Sequence, residues 1–175
     1  MGFILGYDPD TLREIVDEPR CHERLAEIGQ QRSLPSLLER VWLLKVLGRI
    51  DEALDVAEQS IRVARMAGTR KELLRARILR ATARHVHGDS FGAECDLTAC
   101  AEEAEGLGWE RLAAFAYQHR GKIRFGNGEF EGARADFKRT VFLRQKAGVP
   151  DDQLEATLLA IDAVDRRRNA LSIAG

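Results

Sequence analysis

Apolar residues fall at helical spacing along most of the chain, and the pattern returns at intervals of forty residues. Leu34, Leu38, Val41 and Leu44 set it, on the places that one face of a helix requires. Leu154, Leu158, Ile161 and Val164 occupy the same places three periods later. Each interval holds two helical patterns joined by a short turn. The first, helix A, is predicted over 34–47, 71–87 and 110–126, and the second, helix B, over 51–66, 91–106 and 131–147. No strand is expected anywhere, and a β-sheet anywhere would defeat the repeat reading.

The repeat also shows as fixed columns. Gly48, Gly88 and Gly128 share one, Ala53, Ala93 and Ala133 a second, Gly68, Gly108 and Gly148 a third, and Arg40, Arg80 and Arg120 a fourth. The glycines stand where a helix stops and the chain reverses, so a positive φ is expected at each. Acids follow at the new N-termini, Asp51 and Glu52 in one place and Asp151 and Asp152 in another, where the helix dipole favours them. The small alanines suit close crossing of the two helices of one hairpin. These turns also account for the glycine-rich stretch FGNGEFEGARADF, from Phe125 to Phe137. A dinucleotide-binding fingerprint would need glycine at 131 directly after a buried strand, and that position is Glu131.

These residues resemble the tetratricopeptide repeat family. The third block carries the likeness through Tyr117, Gly121, Gly128, Phe130, Ala133 and Phe137. The second keeps Gly88 and Ala93 with Ala81 and Ser90, and the first keeps Gly48, Ile50 and Ala53 with Val41. The period of forty exceeds the family's usual length of about 34, and the proline that commonly ends helix B is absent. The resemblance implies an all-α fold, an α-solenoid of antiparallel helix pairs. Its three repeats cover 34–68, 69–108 and 109–148, with N-terminal capping helices over 1–33 and a C-terminal capping helix and tail over 149–175. At the N-terminus, Asp8-Pro9 is expected to open a short helix, and Pro19 to separate it from a second running to about Gln31. Leu12, Ile15, Leu25 and Ile28 are then available to cover the first block. For the leading FIL of residues 3–5 three fates stay open: packing, pairing with a second copy, or mobility.

Composition narrows the function classes. With 175 residues, 45% of them hydrophobic, and a net charge of −1, the chain suits one well-buried domain with no global attraction to nucleic acid or membrane. MGFILGYDPD lacks the basic start of a secretory signal. Cys21, Cys95 and Cys100 show no CxxC spacing and read as reduced, mostly buried thiols of a cytoplasmic protein. His85 and His87 lie two apart on a helix and diverge by about 200°, so with Cys95 and Cys100 they form no metal set. No catalytic residue and no cofactor is expected. The Arg40, Arg80, Arg120 column could bind an anion, but stems packed along the helix pair with guanidiniums reaching carboxylates are the favoured account.

What remains is surface recognition. The family's groove positions, carried onto this chain, fall on Leu38, Trp42, Lys45, Ile78, Thr82, His85, Gln118, Lys122 and Phe125, with Arg75, Phe115 and His119 nearby. Leu38, Trp42, Ile78 and Thr82 do not match the family's carboxylate clamp. From Arg62 to Arg84 eight Lys or Arg face only Glu72, whereas from His85 to Glu110 there are seven acids and no Lys or Arg. In the family helix A lines the concave face, so the resemblance implies a partly basic groove that binds a protein or peptide, an acidic one included, with an acidic band outside; mutual neutralisation of neighbouring helices as ordinary surface pairs is an equal alternative. The function implied is a non-enzymatic peptide-binding scaffold. The alternative is a ligand- or signal-peptide-sensing module of a bacterial regulatory system acting through a partner chain. Homodimerisation stays open.

Overall fold

The structure, a computed structural model, describes residues 2–150 and 154–174. Among these, eight helices carry the chain: α1 (Glu18–Ile28), α2 (Leu34–Val46), α3 (Ile50–Ala67), α4 (Arg70–His87), α5 (Ser90–Gly106), α6 (Glu110–Gly126), α7 (Phe130–Lys146) and α8 (Glu155–Ala174). The fold is all-α in its body, and each repeat's helix A and helix B begin and end within a residue or so of the expected bounds. Asp151 and Asp152, expected at the last N-terminus, lie outside the described residues.

The departure comes before the repeats. Two short strands, β1 (Ile4–Tyr7) and β2 (Glu14–Val16), pair as a two-stranded sheet where a helix was expected. The Asp8-Pro9 sequence makes an Asx turn instead of a helical start. One Asp8 carboxylate oxygen accepts hydrogen bonds from the Asp10 and Thr11 amides and from the Thr11 hydroxyl, at 3.0, 2.7 and 2.9 Å. Asp8 N–H then donates to the Arg13 carbonyl, which closes the hairpin. These are the bonds an N-cap would make, so the local chemistry serves both outcomes. Pro19 does not divide two helices; it sits in the first turn of α1, capped by Asp17. A sheet anywhere was too broad a criterion against the repeats: this one lies wholly ahead of residue 34, and the repeat segment contains helices and turns alone.

The chain packs as two compact units. One holds the chain up to Gly6 with Glu14–Asp96; the other holds Tyr7–Arg13 and the chain from Leu97 on. In the first, α2 packs on α3, α3 on α4 and α1 on α2. Leu37, Val41, Leu44, Ile61, Leu74 and Ile78 fill the interior. Cys21, Ile28 and Leu43 form a second cluster that Phe3, Leu25 and Trp42 close. Phe3, of the leading FIL, is thus packed, with its ring 6.1 Å from that of Trp42, while Ile4 and Leu5 are exposed. Ile15 is exposed too and covers nothing.

In the second unit α6 packs on α7 and α7 on α8. The α6–α7 crossing needs Gly121: a Cβ there would stand 2.7 Å from Phe137 Cε1. Phe125, Ala133, Phe137, Ala160, Ala163 and Val164 form the core, and Leu12 joins them. Leu158 was expected to face inward with Leu154 and Val164, but it is exposed. Thr157 and Ala160 take the inward places instead, which rotates the apolar stripe of α8 by one position.

The turn glycines behave as expected with one exception. Gly128 has φ +80°, a backbone that costs an L side chain about 1–2 kcal/mol. Gly68 is extended, at φ −94°, because α3 runs on to Ala67 and Thr69 immediately caps α4 with Glu72 in a reciprocal capping box. Glycine is needed there for space, since a Cβ would come within 2.8 Å of the Ala64 carbonyl.

The arginine column is structural where it is paired. Arg120 grips Asp136 with two bonds, of 2.9 and 2.7 Å, and donates to Thr98 Oγ1; Arg124 adds a third bond to Asp136 at 3.2 Å. Forty residues earlier, Arg80 and Arg84 converge on Asp96 at 3.3 and 2.7 Å, and Arg80 also reaches Glu58.

Candidate functional site

The expected binding residues separate by burial. In the first unit Ile78 is fully buried in the core. Thr82 is buried and donates its hydroxyl to the Leu79 carbonyl. Lys45 is buried and paired with Glu14 of β2 at 3.7 Å. Trp42 is half-buried against Phe3, and His85 Nδ1 lies 3.1 Å from Ser90 Oγ. Arg75 is exposed. In the second unit Phe125 is a core residue stacked edge-on against Phe130. Gln118 is buried, its amide oxygen accepting from Thr157, whose hydroxyl accepts in turn from Arg144. The interior thus claims Lys45, Ile78, Thr82, Gln118 and Phe125. These longer helices turn more of the helix A surface inward than the resemblance implies.

Phe115, His119 and Lys122 remain on the open side of α6. Their spacing of four and three residues puts them on one stripe. Phe115 and His119 stack edge to face, with ring centres 4.8 Å apart, and both are half-buried. Lys122 continues the stripe with its Nζ 5.3 Å from the centre of the Tyr7 ring. That contact belongs to the turn between β1 and β2, which sequence reasoning placed elsewhere.

The turn, Tyr7 to Arg13, is seated against α6 and α8. Tyr7, Asp8, Pro9 and Leu12 face Lys122, Leu159, Ala160 and Arg166 across a cleft of only about 40 Å³, so the turn nearly fills its place. Asp10 pairs with Arg167 at 3.0 Å. Leu12 drives into the core among Phe125, Phe137 and Val164, and is 3% exposed. Hydrogen bonds from the Thr11 hydroxyl and amide hold the Asp8 carboxyl below its ordinary 3.8, which keeps it a carboxylate at neutral pH.

Leu12 is also the one non-glycine residue with positive φ among those described, at +56°. A left-handed backbone costs such a residue roughly 1–3 kcal/mol. Burying a leucine side chain returns about 1.5–3 kcal/mol. The two are of similar size, so the strain offsets much of what burying Leu12 contributes, and the Asp10–Arg167 pair and the Tyr7–Lys122 contact add to the seating. Neither Leu12 nor the turn was assigned to this place in advance. The available signal was the Asp-Pro-Asp-Thr turn chemistry between Ile4-Leu5 and Ile15-Val16, which is hairpin punctuation.

Among the described residues, no group of three His, Cys, Asp or Glu is placed to hold a metal ion, and no helix is long and apolar enough to cross a membrane. No family model and no curated protein matches the chain.

Proposed function

We propose that the protein is a non-enzymatic scaffold that binds a peptide or protein segment on the open side of α6 and α8. One observation carries this reading. A seven-residue stretch of the chain's own, Tyr7 to Arg13, lies on that side with its tyrosine under Lys122, an aspartate on Arg167 and a leucine in an apolar socket. A surface that accepts one short acidic and apolar segment has the donors, cations and depth to accept another. The Phe115, His119, Lys122 stripe extends beyond the turn and offers a segment further aromatic contact, the kind that dominates binding hot spots. Cations beside such a surface speed association and make it salt-sensitive.

The test is a random peptide library selected on the intact protein. Acidic segments are the expected winners. Lys122→Glu should weaken them at least tenfold, whereas Lys138→Glu on the exposed side of α7 should change affinity less than twofold. Equal effects from both changes, or binding indifferent to salt, would overturn the assignment.

A further inference from the structure

We infer that the Tyr7–Arg13 turn is a built-in competitor for this surface, and that the partner is a segment of the turn's own chemistry, with an aspartate followed two residues later by leucine. The inference rests on the peptide-binding reading above and adds which segment binds and what must leave first. Three features of the turn point to it.

Its contacts with α6 and α8 are those of a docked peptide. Tyr7 meets a cation, Asp10 meets Arg167, and Leu12 fills a socket of Phe125, Phe137, Ala160 and Val164. The turn is also preorganised by bonds within itself: Asp8 accepts from Asp10 and Thr11, Leu12 N–H donates to the Asp8 carbonyl, and Asp8 N–H donates to Arg13. None of those bonds goes to α6 or α8, so leaving strands no backbone group on either helix, and the unseated turn opens to water and sheds its strain. Finally, the anchor is the residue with the left-handed backbone, whose strain offsets much of what burying the leucine contributes. A permanent strap would place glycine or asparagine at that backbone and put its apolar anchor on an unstrained neighbour. A partner leucine arriving on an unstrained chain fills the same socket without that penalty and displaces the turn.

The experiment uses the full-length chain and a fluorescein-labelled peptide of residues 6–14, GYDPDTLRE. Leu12→Gly in the protein removes the anchor and lets glycine take the left-handed backbone freely, so the turn survives while its socket empties. Anisotropy should show the peptide binding Leu12→Gly at least tenfold more tightly than wild type. Adding Lys122→Glu, or replacing the peptide's leucine by alanine, should reverse the gain. A Leu12→Gly protein with a native circular dichroism spectrum that binds no better than wild type overturns the inference. If that variant does not fold, hydrogen exchange in wild type decides. Saturating peptide should accelerate exchange of the Leu12 amide at least tenfold, and an unchanged rate overturns the proposal. A wild-type dimer whose turns exchange between copies assigns the socket to a second copy and likewise overturns it.

The two readings fail differently. Library peptides that bind wild type through Lys122 while Leu12 exchange stays slow leave the scaffold standing and remove the competitor. Absence of any peptide binding to either wild type or Leu12→Gly removes both.

Discussion

The helix pairs α2–α3 and α6–α7 stand in the same register two periods apart, yet the positions that hold each pair together carry opposite chemistry. At the crossing, α6–α7 sets Gly121 against the ring of Phe137, while α2–α3 has Val41 and Ala57 at those places, both fully buried. One turn further along, α6–α7 gathers Arg120 and Arg124 on Asp136, whose side chain is 4% exposed. The matching residues of α2–α3 are Arg40, Leu44 and Val56, with Leu44 and Val56 buried. There the buried Arg40 Nε has no hydrogen-bond partner among the described residues. The repeat therefore preserves filled volume at each place and leaves free which residues supply it.

Removing the carboxylate should give the largest effect and separate the two pairs most sharply. Asp136→Ala strands two guanidiniums beside a buried site, and breaking a buried pair in this way costs about 3–5 kcal/mol. Arg124→Leu with Asp136→Val rewrites α6–α7 in the terms of α2–α3. Because an ion pair exchanged for well-packed apolar residues is often neutral, the double variant should recover most of the loss in urea unfolding. If Asp136→Ala costs under about 1 kcal/mol, the network acts as an ordinary surface pair and the contrast between the blocks is superficial.

The crossing comes next in size. Gly121→Val copies the first block on one side only and forces a branched side chain into the Phe137 ring, at about 1–3 kcal/mol for overpacking. Gly121→Val with Phe137→Ala copies both sides. The two changes should be non-additive by at least about 1 kcal/mol in a double-mutant cycle. Additive losses would mean that the volumes at the crossing are independent.

The same contrast explains what could be read from the sequence. Helix bounds were legible because the glycine and alanine columns fix turns and crossings by backbone geometry, which depends on local sequence. The first arginine column was legible, but its partners Asp96 and Asp136 were not, since the first block breaks that column with Val56. Burial of Gln118 and Phe125 was illegible for a different reason. Each lies on the helix A face, and only the packing of α8 onto α7 and the insertion of Leu12 decide how much of that face stays open. The hairpin was missed because an Asx turn and an N-cap begin with the same hydrogen bonds, and the later left-handed step at Leu12 is the one that reverses the chain.

The turns should be indifferent to the chemistry that distinguishes the blocks. Gly48 and Gly128 have φ of +74° and +80°, with open space around a would-be Cβ. Valine at either should cost roughly 1–2 kcal/mol from backbone strain alone, and the two losses should agree within about 0.5 kcal/mol in thermal melts. A large excess at one turn would show that packing, not φ, sets the need for glycine there.

The smallest effect concerns acid. Asp165 on α8 accepts from Arg134 of α7 at 2.7 Å, with Arg168 beside it, while Glu52 at the start of α3 pairs with Arg49 within a single turn. Hydrogen bonds from these arginines hold both carboxyls below their ordinary values of 3.8 and 4.5. A depressed carboxyl favours the folded state above its unfolded value, and the contribution disappears as pH falls through the lower folded value. Asp165→Asn should therefore lower stability at pH 7 by under about 1 kcal/mol, given its exposure. The difference from wild type should close as pH falls through that lower folded value, where the wild-type carboxyl is protonated as well. Glu52→Gln should change less, because its partner lies three residues away on the same turn and ties no second helix. A gap for Asp165→Asn that persists or widens in acid would show that the side chain stabilises α8 through its shape and not through its charge.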